Sequence, residues 1–333
     1  MANHPALRSR RRSPLSWLYV VLITLWLVLR AIFFDQIWWL ALVNTFAIYL
    51  FVPLPLLLVA ALLRRRWALM FGLAIPTAAF IALFGTLLLP RLSTPLPDTP
   101  TITAMSFNVL TSNKDTDALI GTIRAARPDI LGMQELTNGK RAALKTALGQ
   151  ALAYHTLDWP RSYGNVGLMT RFPIETAQPI TLPSGQPALH AILRVGEQQL
   201  HVFVAHLSPN HLFKNPEIDL ATAASTAFAR RAAEINRLGE ELHDLDAPAI
   251  LLCDCNLTDT SQAHADLRSF LADSAGEAGW GLQLTNYVDK IPFLGQRIDY
   301  VWHSADLIAV AAEVGNAGGS DHLPVVARLR LRQ

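Results

Sequence analysis

The sequence predicts an α/β domain that follows about three transmembrane helices. Strongly apolar stretches occupy most of the first 90 residues, in which Asp35 is the only acid. From about residue 101 onward, short β-type runs alternate with longer runs of helical periodicity, an order typical of α/β domains. The predicted parts of the chain are a basic N-terminal tail (1–14), a membrane anchor (15–90), a proline-rich linker (91–100) and the α/β domain (101–333).

Three apolar stretches make up the predicted anchor. They cover residues 15–34, 37–63 and 67–89, and each is near or above the roughly 20 residues that a helix needs to cross the hydrocarbon core. None has a polar face at helical period, which disfavours the alternative of helices buried in a soluble core. A cleaved signal peptide is disfavoured for the first stretch, because the stretch is too long and no small-residue cleavage site follows it.

The arginines predict the orientation of the anchor. Four arginines precede the first stretch, and residues 64–66, all arginine, separate the second from the third. Basic residues favour the cytoplasmic side, so we expect a multi-pass protein of the cell membrane with its N-terminus in the cytoplasm and its catalytic domain outside. Arg30 is interpreted as a snorkelling residue near a span end. Pro53 and Pro55 are expected to kink the second span or to split it into a span and a re-entrant piece.

The two halves of the chain differ in charge. Before residue 97 there are nine arginines and one acid, whereas the remainder has 19 basic and 25 acidic residues, a net charge of −6. An acidic domain lacks the basic surface that usually supplies affinity for nucleic acid. The composition therefore disfavours a nuclease without excluding one.

The two cysteines, Cys253 and Cys255, lie one residue apart in a predicted strand. Extended backbone keeps such Cα atoms too far apart for a disulfide, so both are expected to be free and buried. The same alternation sends the polar side chains of Asp254 and Asn256 to the opposite face.

Local patterns predict the elements of the catalytic domain. Helical periodicity predicts helices over residues 115–126, 140–148 and 220–243. β-type runs predict strands over residues 102–107, 130–133, 166–170, 188–195, 200–205, 249–254, 298–302 and 325–331.

Six polar clusters at the ends of these strands carry the candidate chemistry. Carboxylate and amide oxygens among them suit Mg²⁺, with Mn²⁺ as the alternative, and two histidines can move protons near neutral pH. Zinc is disfavoured because the histidines are isolated singles. The chain has no G-x-S-x-G or P-loop pattern, which excludes the commonest serine-hydrolase and nucleotide-triphosphatase routes. In chain order, the clusters are Ser106-Phe107-Asn108, Gln134-Glu135, His206-Leu207, Asp254-Cys255-Asn256, Arg297-Ile298-Asp299-Tyr300 and Ser320-Asp321-His322.

The order of these clusters resembles the endonuclease/exonuclease/phosphatase, or deoxyribonuclease-I-like, superfamily across residues 101–331. The motifs that carry the resemblance are SFN, QE, H-L-x-P, D-x-N, RIDY and SDHLPV, together with the stretch at 164–174. The resemblance implies a four-layer α/β sandwich, in which two packed mixed β-sheets are flanked by helices, and a metal-dependent phosphoesterase. The chain departs from the family's Gly-Asp-Phe-Asn in having Cys253 and Cys255 on either side of Asp254. We expect this departure to affect core packing more than the chemistry of Asp254 and Asn256.

The same resemblance implies a metal site and a site for the attacking water. Glu135 would be the principal metal ligand, assisted by Asn108 and Asp321. Asp254 and Asn256 would orient or deprotonate the water. No enzyme nucleophile is required, because phosphoryl transfer depends mainly on positioning and on neutralising the developing charge.

The remaining candidates would contact the phosphate or substrate. By resemblance, His322 touches the scissile phosphate while Asp299 fixes the tautomer of its ring, and His206 supplies a second contact or a proton. Asn165 and Arg297 are the candidate substrate-binding residues. The loops at 210–219 and 285–296 are candidates for a lip that meets a lipid or a leaving group.

The expected function is hydrolysis of a phosphodiester or phosphomonoester by direct attack of an activated water. A lipid headgroup and nucleic acid remain open as substrates, the bilayer is contacted through the N-terminal helices, and no protein partner is inferred. The alternatives are a nuclease acting on extracytoplasmic nucleic acid and a catalytically silent binding module of the same fold. A transporter is disfavoured, because Arg30 and Asn44 are among few polar residues in the apolar stretches.

Overall fold

The structure, a computed structural model, describes residues 14–88, 100–158, 165–209, 219–243, 245–287 and 294–332. The predicted basic tail and linker lie almost entirely outside these residues. Most of the loop at 210–219 and the middle of the loop at 285–296 also lie outside them.

Residues 14–88 form a bundle that we call the helical unit. Its outward side chains are apolar, including Leu15, Val21, Leu56 and Phe71. Two helices, Pro14–Phe33 and Trp67–Leu88, are long and apolar enough to cross a membrane, and the bent pair between them would be a third span if it is counted as one. The elements are α1 (Pro14–Phe33), α2 (Trp38–Thr45), a 3₁₀-helix (Ala47–Phe51), α3 (Leu54–Leu63) and α4 (Trp67–Leu88).

The second predicted span is broken. Trp38–Thr45 and Ala47–Leu63 meet at an angle of 68°, so the expected split is present, but the bend lies at Phe46 and precedes both prolines. Pro53 caps α3 and Pro55 lies in its first turn, where a missing N–H removes no helical hydrogen bond.

The helical unit contacts the rest of the chain directly. The guanidinium of Arg30 donates to Thr260 O at 3.3 and 3.2 Å and lies 4.2 Å from the centre of the Phe34 ring. Arg30 lies near the end of α1 and directs its charged head group to a backbone carbonyl of the rest of the chain, and its interpretation as a snorkelling residue stays a prediction. At the end of α4, Leu87 O accepts from Gly281 N at 2.7 Å.

Two six-stranded sheets form the core of the remaining chain. In spatial order, the first sheet consists of β13 (Leu307–Val314), β14 (Val325–Leu331), β1 (Ile102–Asn108), β2 (Ile130–Gln134), β4 (Gly167–Thr170) and β3 (Tyr154–His155). The second consists of β5 (Ile174–Thr181), β6 (Pro187–Val195), β7 (Gln198–His206), β8 (Ala249–Asp254), β12 (Asp299–His303) and β9 (Ala272–Asp273). A separate antiparallel pair joins β10 (Asn286–Tyr287) to β11 (Gly295–Gln296).

The layers form a four-layer α/β sandwich, as the resemblance implied. Alternation along β1 sends Ala104 into the core between the sheets and Met105 and Phe107 toward the helices. Helices α5 and α6 cover the first sheet, and α7 and α8 cover the second. The helices are α5 (Thr116–Ala126), α6 (Asn138–Leu148), α7 (Leu220–His243), α8 (Gln262–Leu267) and α9 (Ser274–Ala278).

The sheets approach each other closely beneath the ends of β2 and β8. A Cβ at Gly132 would lie 2.7 Å from Leu252 side-chain atoms, so glycine is required at this point of contact. Two residues further along β2, Gln134 Nε2 donates to Leu252 O at 3.3 Å, and this hydrogen bond joins the two sheets.

The three predicted helices and eight predicted strands are all present, with ends that shift by at most two residues. Asp115 accepts from Ala118 N and caps α5, which explains why the helix begins there. Two long strands were missed. The edge strand β5 contains Pro179 and is largely exposed, and β13 is rich in alanine, so neither has the usual strand composition.

The prediction of free cysteines is wrong. Cys253 and Cys255 form a disulfide with their Cα atoms 5.0 Å apart. The strand ends at Asp254 and the chain then turns, with Asn256 at φ 50°, so the extended spacing assumed for this pair does not apply. Both cysteines are buried in the core beneath α7, as expected.

Candidate active site

Strand register brings the polar clusters to one edge of the sandwich. Parallel β1 and β2 place Asn108 opposite Gln134, and parallel β7 and β8 place His206 opposite Asp254. Antiparallel β12 places Asp299 on the other side of Asp254. The side chains at these strand ends therefore meet although they lie far apart in sequence.

The Asn108 amide joins the two sheets at the centre of the site. Its Nδ2 donates to Asp254 Oδ2 at 2.8 Å and to Glu135 Oε1 at 3.2 Å. Asn108 and Asp254 are each 1% exposed, so two carboxylates, one from each sheet, are held together in a largely buried place. Two like charges so placed favour a cation beside them.

Glu135 is fixed by its backbone and by its neighbours. Its φ of 58° lies in the left-handed region, which is costly for a residue with a Cβ and typical of functional sites. Thr111 N donates to its Oε2 at 2.8 Å. Burial raises the pKa of Glu135, but the hydrogen bonds from Thr111 and Asn108 outweigh burial and hold the pKa below its usual value. The carboxylate is therefore ionised at neutral pH.

His322 and Asp299 form a buried ion pair. His322 Nδ1 lies 2.8 Å from Asp299 Oδ2, and Thr285 Oγ1 fixes the strand end by accepting from Asp299 N at 3.1 Å. Burial opposes a charged imidazole, but the carboxylates of Asp299 and Asp254 raise the pKa of His322 to about 10. The ring is consequently a cation that can donate through Nε2 as well.

His206 approaches the same centre from β7. Its Nε2 lies 3.5 Å from Asp254 Oδ2. Within the described part of the chain, His206 Nδ1 and Asp299 Oδ1 are buried polar atoms without a hydrogen-bond partner. Buried polar atoms are nearly always paired, so these two atoms are available to a ligand bound at this centre.

The oxygen donors fit a hard divalent cation. Glu135 and Asp254 offer carboxylate oxygens that are both bound by Asn108 Nδ2, and carboxylate oxygens are ligands that Mg²⁺ prefers. The amide oxygen of Asn108 accepts from Leu110 N at 3.0 Å. A neighbouring group of ligating atoms, all within 4.8 Å of one another, is formed by Asp254, Asp299 and His322. Asp254 belongs to both groups.

Three other predicted residues take different places. Asn256 adjoins the centre, because its N–H donates to Asp254 Oδ1 at 3.3 Å and its Nδ2 to Leu207 O at 2.9 Å. Asp321 is exposed beside His322, and its charge helps to raise the pKa of His322. Asn165 accepts through its backbone carbonyl from Leu136 N at 2.7 Å, next to Glu135.

Arg297 does not join the cluster. Its guanidinium is buried, ion-paired with Asp259 and Asp273, and lies 4.4 Å from the centre of the Tyr300 ring. Two carboxylates already neutralise its charge, so the expectation of a substrate contact at Arg297 is wrong. Asp259, His264 and Asp273 form a second group of potential ligands, but Arg297 supplies the cation there.

Sequence comparison decides the family. The profile of the Endonuclease/Exonuclease/phosphatase family matches residues 105–322. The chain belongs to this family. Its members are metal-dependent phosphoesterases and nucleases. No curated protein matches the chain significantly.

Solved structures agree with the family's fold. An endonuclease/exonuclease/phosphatase from Bacteroides vulgatus is 17% identical with a TM-score of 0.57, over 70% of this chain and 100% of that chain. Sphingomyelinase C from Streptomyces griseocarneus is 17% identical with a TM-score of 0.54, over 69% and 99%. The catalytic domain of human Nocturnin with bound sulfate is 17% identical with a TM-score of 0.53, over 71% and 97%. At this identity the likeness concerns the fold.

Two supporting residues of this endonuclease/exonuclease/phosphatase site were missed in the sequence. Lys140 Nζ donates to Leu110 O at 2.7 Å and to Thr111 O at 2.9 Å, and so braces the loop that binds Glu135. Its position on the buried face of α6, four residues before Leu144, is a signal that could have found it. The second residue is Thr285, which accepts from Asp299 N, and no comparable sequence pattern predicts its role.

Removing the Asp299 charge should lower the pKa of His322. We expect Asp299→Asn to shift the titration of the His322 ring from about 10 to near neutral pH, because burial then opposes the charge with less compensation. Histidine Cε1–Hε1 NMR shifts of the metal-free protein would measure it, with the exposed Glu313→Gln as the control. A His322 ring that stays charged at pH 9 in Asp299→Asn would contradict the assignment.

Proposed function

We propose that this chain hydrolyses phosphoesters with a divalent metal, by direct attack of an activated water on phosphorus. The observation that carries the proposal is the bridge from the Asn108 amide to the Glu135 and Asp254 carboxylates. It brings two anionic side chains from different sheets to one point, beside the charged ring of His322. Such a centre suits a cation and a phosphate together.

Mg²⁺ is the proposed cofactor, with Mn²⁺ as the alternative. Glu135 would hold the ion through its carboxylate and Asn108 through its Oδ1, which accepts from Leu110 N in this structure, and Asp321 would complete the protein ligands. When bound, the ion offsets the negative charge that develops on the phosphate.

Asp254 is the proposed base for the attacking water. It is buried, and Asn108 and the Asn256 N–H hold its two oxygens in place, so its direction is fixed before the substrate arrives. Asn256 would orient the same water. A base with a fixed direction contributes through positioning as well as through proton transfer.

His322 is the proposed cationic contact to the scissile phosphate. Asp299 receives its Nδ1 hydrogen bond, which leaves Nε2–H to donate to a phosphate oxygen. His206 would supply a second contact or a proton to the leaving group, and Asn165 remains the proposed contact to the rest of the substrate.

Variants of the bridge test this assignment. Glu135→Gln and Asp254→Asn should each lower kcat/KM for bis(p-nitrophenyl) phosphate with Mg²⁺ by about 100-fold or more, because each removes a charge that positions the reacting groups. Glu197→Gln, in the exposed turn between β6 and β7, should match the wild type. A wild-type protein that cleaves no phosphoester with Mg²⁺ or Mn²⁺ would refute the proposal, and metal binding without turnover would indicate the catalytically silent module.

A lipid headgroup is the favoured substrate class. The apolar helical unit supports attachment to a bilayer, and its contact with Thr260 places the unit near the loop that follows Asp254 and Asn256. A cleft held at a bilayer meets lipid phosphates at high local concentration. The net charge of −6 in the second part of the chain disfavours long polyanions.

The proposed location is the cell membrane, with the N-terminus in the cytoplasm and the catalytic domain outside. The arginines at residues 64–66 support this orientation. The disulfide between Cys253 and Cys255 is also typical of oxidising compartments outside the cytoplasm.

Two assays on the full chain separate lipid from nucleic acid. Reconstituted into phosphatidylcholine and phosphatidylethanolamine vesicles with Mg²⁺, it should release phosphorylated headgroup or phosphate, because the bilayer presents that bond to the cleft. Under the same conditions it should not nick supercoiled plasmid. Nicking without headgroup release would identify a nuclease acting on extracytoplasmic nucleic acid.

A further inference from the structure

The helical unit makes a hydrogen bond to a small hairpin beside the active site. Tyr49, in the 3₁₀-helix, donates its hydroxyl to Gly295 O at 2.7 Å. Gly295 begins β11 and pairs with Tyr287 of β10. Each of these strands has two residues, which is too short a ladder to be stable by itself. The hairpin therefore depends on contacts from outside.

The same hairpin holds both members of the catalytic ion pair. Thr285, directly before β10, accepts through Oγ1 from Asp299 N and through its backbone carbonyl from Leu323 N at 2.7 Å. The next residue, Asn286, forms a β-bridge with His322. A displacement of this hairpin would thus move Asp299 and His322 relative to each other.

A second contact holds the loop that follows Asp254. Thr260 donates its hydroxyl to Asn44 O, and Gln262 N donates to Asp35 Oδ2 at 2.6 Å. Asp254 lies six residues before Thr260 in the chain. The other catalytic strand end is therefore also tied to the helical unit.

The helical unit is held together by buried hydrogen bonds where it makes these contacts. Asn44 is fully buried, and its side chain accepts from Trp26 Nε1 at 2.9 Å and donates to Asp35 Oδ1 at 2.7 Å. Polar groups in an apolar bundle are fixed strongly when each has a partner. The unit can therefore provide fixed contact points for the hairpin and the loop beside the active site.

We propose that the helical unit is a positioning part of the active site, in which Tyr49 fastens the hairpin that contacts Asp299 and His322, and Thr260 fastens the loop that follows Asp254. The inference rests on the proposed function and adds to it how the active-site segments are held in position. Tyr49 and Thr260 touch neither substrate nor reacting atoms, so their effect is on the turnover step. Small displacements of positioned groups reduce rate more than binding.

Two matched pairs of variants test the inference in the full chain. Tyr49→Phe removes the hydroxyl that bonds Gly295, whereas Tyr19→Phe removes a buried hydroxyl of α1 that has no partner within the described residues. Thr260→Val removes the bond to Asn44, whereas Thr258→Val removes a buried hydroxyl of the same loop that likewise has no partner there. Within each pair the chemical change is the same.

The assay uses detergent-solubilised protein, saturating Mg²⁺ and soluble bis(p-nitrophenyl) phosphate, so that presentation of lipid plays no part. We expect Tyr49→Phe and Thr260→Val to lower kcat about fivefold to tenfold, with KM and the Mg²⁺ activation constant within about twofold of the wild type. Both controls should keep wild-type kcat. Equal kcat in all five proteins, or a fall only in melting temperature, would overturn the inference.

Hydrogen–deuterium exchange tests the same contact without relying on activity. In Tyr49→Phe, backbone exchange at residues 285–287 and 295–299 should rise relative to the wild type and to Tyr19→Phe. An inactive wild type would refute the proposed function, and the exchange result would still decide the inference. Unchanged exchange in these segments would overturn it.

Discussion

The proposed active site depends on one amide. The Nδ2 of Asn108 donates to Glu135 on the first sheet and to Asp254 on the second, so the separation of the two carboxylates is set by how closely the sheets pack. Gly132 permits that packing directly beneath, against Leu252. An apolar contact in the core thereby fixes the spacing of two charges at the edge of the sandwich.

Charge is arranged around this bridge so that a cation and an anion can bind side by side. Glu135 is kept ionised by hydrogen bonds, and His322 is kept protonated by the carboxylates around it. The first favours a metal ion, and the second favours a phosphate oxygen. Neither charge needs solvent to stabilise it, because the fold supplies the partners before any ligand is present.

The sequence was sufficient for most of the long elements and for most of the cluster, because Asn108, Glu135, His206 and Asp254 directly end or follow strands whose pattern is plain. It was insufficient wherever a partner distant in the chain decides the outcome. The ion pairs of Arg297 and the hairpin of Thr285 are tertiary contacts, for which no local pattern exists. The cysteines were misjudged because extended geometry was taken to continue to Cys255, although the strand ends at Asp254 and the chain turns there.

The proposed chemistry requires that the bridged carboxylates hold a divalent cation. Crystals of the full chain soaked in MnCl₂ and measured at the manganese absorption edge test it most directly. We expect an anomalous peak at coordination distance from the Glu135 carboxylate. A peak found only at Asp259 and Asp273, or no peak at a manganese concentration that supports turnover, would contradict it.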